Sequence, residues 1–131
     1  MEAVSGSLAD YPCVPCRGGV PPLTAEQIAP LLAQLEPGWT VEGGRKLVKR
    51  FRFKNFVQAV AFVNRITPIA EAEGHHPDLY VAWGKVEVYL WTHKIDGLTE
   101  SDFYMAAKLD RAFSQLQEEL RTSPGAVGEP A

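Results

Sequence analysis

The chain has 131 residues, of which 46% are hydrophobic and 22% are charged, and its formal net charge is −3 at pH 7. This length and composition predict one domain around one core. The net negative charge gives no overall attraction for nucleic acid or an anionic membrane, so we expect neither as a partner. No apolar run approaches the roughly 20 residues of a membrane-spanning helix, and residues 1–20 lack the order of a secretion signal. A soluble, cytoplasmic protein is expected.

Both ends of the chain predict flexible tails. Residues 1–22 and 122–131 are rich in glycine, proline and small residues and show no sustained periodicity, which leaves a folded unit at 23–121. The first tail contains Cys13 and Cys16 in a Cys-x-x-Cys arrangement. Such a pair can be half of a zinc site or a redox couple, but no second ligand pair accompanies it. A loosely ordered, reduced pair is the simpler interpretation.

The folded unit begins with a predicted helix. Thr24 and Gln27 have the spacing of a capping box, and an apolar stripe at helical spacing follows them. Pro30 within this helix is expected to kink it or to make its first turn irregular. A glycine-rich turn then separates two predicted strands, at 39–42 and 45–53.

The strand at 45–53 alternates between an apolar face and a basic face. Leu47 and Phe51 share the first face with Lys49, and Lys46 and Arg50 lie on the second. A solvated or edge-protecting face explains the basic residues simply. A contact surface for an acidic partner is the alternative interpretation.

A second helix is predicted from Asn55, which can cap it, to Gly74, which can end it in the left-handed conformation. Pro68 should bend this helix. The next residues, 75–77, are expected in a loop that leads into a strand at 79–83, because a residue before proline avoids helical angles.

The last two elements are a strand at 86–93 and a long helix. The strand alternates so that His93 projects from its non-core face, beside Trp91. Thr99 and Asp102 then resemble a capping box at the start of the helix.

The order helix, two strands, helix, two strands, helix predicts an α+β fold. We expect a four-stranded antiparallel sheet with three helices packed on one face. The other face, which carries Tyr89 and Trp91, is left uncovered, and this predicts an oligomer.

All three histidines of the chain, His75, His76 and His93, fall within 19 residues. Imidazole is the side chain best suited to exchange protons near neutral pH, so the cluster suggests proton-transfer chemistry. A metal site is the alternative, but neighbouring side chains such as His75 and His76 usually point apart and no tetrahedral ligand set is apparent. We therefore expect no metal.

Several polar and aromatic residues at fixed separations, over about residues 24–115, resemble the signature of the pterin-4a-carbinolamine dehydratases. These residues are Glu71, His75, His76, Pro77, Trp83, His93 and Asp102. The resemblance implies an α+β fold that associates as homodimers or homotetramers and needs no cofactor. It also implies that the protein removes water from a 4a-hydroxytetrahydropterin to give the quinonoid dihydropterin.

Roles for individual residues follow from the resemblance. It implies that His75 and His93 are the general acid and base and that His76 binds the pterin. Glu71 and Asp102 could each orient an imidazole, although a solvated helix end and a favourable helix dipole explain the two carboxylates equally well. The predicted binding or orienting residues also include Pro77, Trp83 and Trp91.

A second interpretation keeps the fold and changes the function. The N-terminal segment and residues 91–103 are similar to a dehydratase-like branch of the family that is associated with RuBisCO assembly in carboxysomes. In that branch RuBisCO subunits would be the partners and no dehydratase activity is expected. The two interpretations differ in whether Leu79 and Trp91 leave the pterin cleft open. An open cleft favours the dehydratase, and a filled cleft favours the assembly factor.

Overall fold

The computed structural model describes residues 7–14 and 18–122. Its helices are α1 (Ala25–Leu32), α2 (Phe56–Glu73) and α3 (Glu100–Thr122). Its strands are β1 (Thr40–Glu42), β2 (Lys46–Arg52), β3 (Asp78–Ala82) and β4 (Lys85–Leu90). Two short 3-10 turns lie at Leu8–Asp10 and His93–Ile95. The predicted order of helices and strands is confirmed.

The four strands form one antiparallel sheet in the order β1-β2-β4-β3. In β4 the side chains of Val86, Val88 and Leu90 are fully buried, whereas Glu87 and Tyr89 between them are only partly buried. This alternation turns one face of the sheet toward the three helices and leaves the other without helices. The α+β prediction is confirmed.

The predicted helix ends are confirmed where a local signal specified them. Thr24 and Gln27 form a reciprocal capping box at α1, and the side chain of Asn55 accepts a hydrogen bond from the Gln58 N–H at 2.9 Å. Gly74 ends α2 with a φ of 63°, in the left-handed region that favours glycine. The His75 N–H then donates to the Ala70 carbonyl at 3.3 Å, so the first histidine follows directly from the end of α2.

The predicted strand at 86–93 is too long. Strand β4 ends at Leu90, and His93 begins a 3-10 turn instead of ending the strand. The reason is a local pairing that competes with the sheet: the Thr92 N–H donates to the Gly97 carbonyl at 2.8 Å. This closes a loop at 92–97, with Asp96 in the left-handed conformation, and His93 is carried on that loop.

A buried ion pair links the sheet to α3. Lys49, on the apolar face of β2, places its Nζ 2.7 Å from Oδ1 of Asp110, and these side chains are only 11% and 6% exposed. Trp39 Nε1 donates to the other carboxylate oxygen at 2.9 Å. Burial raises the pKa of Asp110, while the hydrogen bonds from Lys49 and Trp39 oppose that shift.

The basic face of β2 has partners within the chain. Arg50 Nε lies 2.9 Å from a carboxylate oxygen of Glu87 on β4. Lys46 Nζ lies 4.3 Å from the centre of the Trp91 ring. Since β2 is an inner strand of the sheet, its basic residues do not protect an edge. The contacts fit the interpretation of a solvated face, and the acidic partner stays a prediction.

Residues 7–14, within the predicted N-terminal tail, pack against α3. Leu8 and Ala9 are buried, and Lys108 on α3 donates to the carbonyls of Ala9 and Tyr11 at 2.8 and 2.7 Å. We call residues 7–14 the N-terminal strap. Cys16 lies outside the described residues, as does the predicted C-terminal tail apart from Thr122. Among the helices that are described, none is both long and apolar enough to cross a membrane.

Candidate functional site

A cleft of about 340 Å³ opens between the end of α2, the 92–97 loop and the N-terminal strap. Its size falls within the roughly 300–1,000 Å³ of small-molecule sites. The cleft is lined by Cys13, Val14, Glu73, Gly74, His75, His76, Trp91, Thr92, His93 and Lys94. The fold therefore brings all three histidines to one cleft from two separate segments.

His75 is held by the buried carboxylate of Asp102. Its Nε2 lies 2.6 Å from Asp102 Oδ1, and the His75 side chain is 15% exposed while that of Asp102 is 0% exposed. Since an ionised carboxylate only accepts hydrogen bonds, a neutral His75 donates from Nε2–H. Its Nδ1 is then the ring nitrogen left to exchange a proton.

Asp102 is itself fixed by the start of α3. Its Oδ2 accepts hydrogen bonds from the Thr92 hydroxyl at 2.8 Å and from the Thr99 N–H at 2.9 Å. The Thr99 bond is one half of the predicted capping box. The same carboxylate of Asp102 thus caps the start of the helix and bonds to His75, and its part in the reaction stays a prediction.

His76 has a different environment. Its Nε2 lies 2.7 Å from Glu71 Oε2, but the two side chains are 58% and 71% exposed. An exposed pair of this kind contributes about 0–1 kcal/mol. The Glu71–His76 pair is therefore exposed, whereas the pair of His75 with Asp102 is largely buried.

His93 is exposed on the 92–97 loop and contacts the Trp91 ring. The two ring centres are 4.2 Å apart and the planes meet at 66°. Trp91 lines the cleft without closing it, and Leu79 packs against the core away from the cleft. Leu79 thus does not line the cleft and Trp91 does, and a cleft open to a pterin stays a prediction.

Four of the predicted site residues do not line the cleft: Glu71 and Asp102, which bond to His76 and His75, and Pro77 and Trp83. Trp83 sits in the turn between β3 and β4 and is 69% exposed, so it does not join the histidines. Pro77 is partly buried at the entry to β3 and is not among the lining residues. Within the described part of the chain, no three His, Cys, Asp or Glu side chains form a group that could hold a metal ion.

Cys13, which we predicted to belong to a loosely ordered pair, lines the cleft. Its backbone N–H donates to Glu73 Oε1 at 2.9 Å, and its thiol donates to the Ser101 carbonyl at 3.5 Å. Burial, with the nearby charge of Glu73, raises the pKa of the Cys13 thiol from 9.0 to about 12. The thiol is consequently protonated near neutral pH and is a poor nucleophile.

We expect Cys13 to resist alkylation. In a Cys16→Ser background at pH 8, iodoacetamide should modify Cys13 about 10²–10³-fold more slowly in the folded protein than in urea. The rate should rise about tenfold per pH unit, because it follows the thiolate fraction. Mass spectrometry of the peptide that contains Cys13 measures both effects. Equal rates in the folded and unfolded protein would contradict this assignment.

Comparison with known proteins points to one family. The sequence model of the Pterin 4 alpha carbinolamine dehydratase family matches residues 21–112. A Rubrobacter xylanophilus protein is 55% identical over 104 residues, which cover 79% of this chain and 96% of that protein. A Rickettsia bellii protein is 50% identical over 107 residues, which cover 82% of this chain and 95% of that protein. Both names assign the relatives provisionally to the pterin-4-alpha-carbinolamine dehydratases.

Solved structures agree with this result. A transcriptional coactivator/pterin dehydratase from Brucella melitensis is similar with a TM-score of 0.65 and 35% identity, covering 70% of this chain and 97% of that one. A pterin dehydratase-like protein identified as a RuBisCO assembly factor in the alpha-carboxysome is similar with a TM-score of 0.52 and 25% identity. That likeness covers 60% of this chain and 95% of the assembly factor. The chain belongs to the pterin 4 alpha carbinolamine dehydratase family.

Proposed function

We propose that the protein catalyses the removal of water from 4a-hydroxytetrahydropterin to give quinonoid dihydropterin. The observation that carries this proposal is the open cleft in which His75, held by buried Asp102, faces a space shared with His76 and His93. Dehydration needs one group to give a proton and another to accept one, and imidazoles can do both near neutral pH.

The reaction breaks the bond between C4a and the hydroxyl oxygen. A protonated imidazole gives its proton to that oxygen, which leaves as water, and a neutral imidazole accepts the proton from ring nitrogen N5. The electron pair of the N–H bond then forms the new C=N bond, so no oxidant or reductant is needed. The proton donor and acceptor must lie within hydrogen-bonding distance of the reacting oxygen and nitrogen.

We assign the acid and base roles to His75 and His93, and a binding role to His76. The buried Asp102 supports the assignment of His75, because a fixed carboxylate orients the ring and stabilises its protonated form. The exposed Glu71 gives His76 a weaker constraint, which suits a residue that only positions the substrate. Trp91, beside His93, offers an aromatic surface to the planar pterin.

A direct assay tests the proposal. 4a-Hydroxytetrahydropterin can be generated in place by a pterin-dependent aromatic amino-acid hydroxylase, and its decay followed by ultraviolet absorbance. We expect the purified protein to accelerate the decay well above the spontaneous rate. A decay rate equal to that of the protein-free control would overturn the proposal.

RuBisCO assembly is the second candidate, and its support is the likeness to the assembly factor at 25% identity. This is weaker than the 50% and 55% identity to relatives named for the dehydratase. The cleft of about 340 Å³ supports the first candidate, because the second predicts a blocked or shallow cleft. An increase in assembled RuBisCO when its subunits are expressed with this protein, together with an inactive dehydratase assay, would favour the second candidate.

We further propose that the protein acts in the cytoplasm as a homodimer or homotetramer. The support for association is the face of the sheet without helices, where Tyr80 is 54% exposed opposite Glu87 and the partly buried Tyr89 lies opposite Asp78 across the β3–β4 pair. Light scattering after size-exclusion chromatography measures the mass directly, and a mass near 14.4 kDa at micromolar concentration would contradict association.

A further inference from the structure

The N-terminal strap contributes Cys13 and Val14 to the lining of the cleft, although these residues lie 60 and 87 residues away in sequence from the residues that hold them. Cys13 is fixed to Glu73 at the end of α2, with a sequence separation of 60 residues. Val14 is fixed to Ser101 on α3, with a separation of 87 residues. The strap thus stands beside the histidines as a built part of the site.

Four polar groups of Cys13 and Val14 bond to other parts of the chain and so hold the strap in place. The Val14 N–H donates to the Ser101 hydroxyl at 2.7 Å, and that hydroxyl donates back to the Val14 carbonyl at 3.3 Å. The Cys13 N–H and thiol are bonded to Glu73 and to the Ser101 carbonyl. Val14 is 65% exposed, so its side chain is available to a ligand, beside the neutral Cys13 thiol that bonds to Ser101.

An apolar wall suits only one edge of a pterin. The pyrimidine edge carries amino and carbonyl groups that lose hydrogen bonds to water unless the protein replaces them. The opposite edge, C6 and C7 with the substituent on C6, is saturated carbon next to N5. Since C4a and N5 face the histidines in the proposed reaction, the C6 edge can face a neighbouring wall.

We propose that Cys13 and Val14 receive the C6 edge of the pterin, so that the N-terminal strap sets specificity for the substituent on C6. This inference rests on the proposed function. It adds two substrate-contacting residues from a segment outside the sheet and the three helices. Ser101 acts through the strap, as a positioning residue.

A matched pair of substitutions tests the inference. Val14→Phe enlarges the side chain at the cleft, whereas Val20→Phe makes the same change at a 38% exposed position outside the cleft lining. For a substrate with a dihydroxypropyl group on C6, Val14→Phe should raise KM about tenfold and leave kcat within about twofold. For a substrate without a C6 substituent, KM should change about twofold or less. Val20→Phe should change neither constant.

Ser101→Ala provides a second measurement that does not enlarge any side chain. It removes both hydrogen bonds to Val14, so the wall should loosen and the preference between the two substrates should shrink. Circular dichroism of each variant checks that the fold is kept. An equal change of KM for both substrates, or no change in Val14→Phe, would overturn the role of the strap while leaving the dehydratase proposal intact.

Measurements of ligand binding distinguish an error in the proposed role of the strap from an error in the proposed function. If the wild-type protein does not accelerate dehydration, the same variants are titrated with the corresponding 7,8-dihydropterins, and quenching of tryptophan fluorescence gives Kd. A tenfold loss of affinity confined to the C6-substituted compound in Val14→Phe supports the strap without catalysis. No binding by the wild-type protein overturns both.

Discussion

Replacing His75 by alanine should lower kcat for 4a-hydroxytetrahydropterin by about 10²–10⁴-fold. The reason is that His75 is the one histidine with a buried carboxylate partner, at 2.6 Å, and the proposed chemistry assigns it a proton transfer. KM should change little, because His76 and Trp91 still line the cleft. Steady-state kinetics with a correction for spontaneous dehydration measures both constants.

The two carboxylates supply the matched comparison. Asp102→Asn keeps the size of the side chain but removes the charge that orients His75, so kcat should fall by at least about tenfold. Glu71→Gln makes the same change beside exposed His76 and should leave kcat within about twofold. Equal effects of the two substitutions on kcat would show that burial of the carboxylate does not determine its contribution to the reaction. An unchanged kcat in His75→Ala would refute the assignment of His75.

Replacing Lys49 by methionine should lower the free energy of unfolding by about 3–5 kcal/mol at pH 7.5. The substitution keeps a long side chain but leaves the carboxylate of Asp110, whose side chain is 6% exposed, without its cation. Trp39 and the Glu36 N–H still donate to that carboxylate, but neither neutralises its charge. Urea unfolding followed by circular dichroism measures the loss.

The same variant should have a characteristic pH dependence. Burial raises the pKa of Asp110 in the folded protein, and removing Lys49 takes away a group that opposes this shift. The folded variant therefore binds a proton at higher pH than the unfolded chain, so its deficit relative to wild type should shrink as the pH falls from 7.5 toward 5.

Arg50→Met is the control for the buried pair. Its partner Glu87 is on the helix-free face and Arg50 is 50% exposed, so the loss should stay within about 1 kcal/mol. If Lys49→Met costs no more than Arg50→Met, the buried pair does not stabilise the fold. A deficit that grows as the pH falls would contradict the stated direction of the Asp110 pKa shift.

The elements that could be predicted from the sequence are those with local causes. Three helix ends, at Thr24, Asn55 and Gly74, are fixed by contacts within about four residues. The structure has each of these ends where the sequence predicts it. Alternating burial in β4 likewise follows from the period of the strand itself. These signals are enough to give the order of elements and the face of the sheet that is covered.

The parts that could not be predicted depend on partners far along the chain. Lys49 and Asp110 each occupy an apolar position of their own element, and only the tertiary fold shows that they neutralise each other across 61 residues. The alternating pattern of β4 continues to His93 and predicts a strand of that length. The pairing of Thr92 with Gly97 instead ends the strand at Leu90. For the site, spacing identified the histidines but could not show that Asp102 and Glu71 differ in burial.

The N-terminal strap also constrains the order in which the molecule can assemble. Residues 7–14 are translated before α2 and α3, yet Lys108 on α3 donates to the Ala9 carbonyl across 99 residues, so the strap lacks its contacts with α3 until that helix has been synthesised. A nascent chain that already holds α2, the sheet and all three histidines still lacks a wall of the cleft. The strap thus reaches its place long after its own translation, and a chain truncated before α3 lacks the partners that hold Val14 and Ala9.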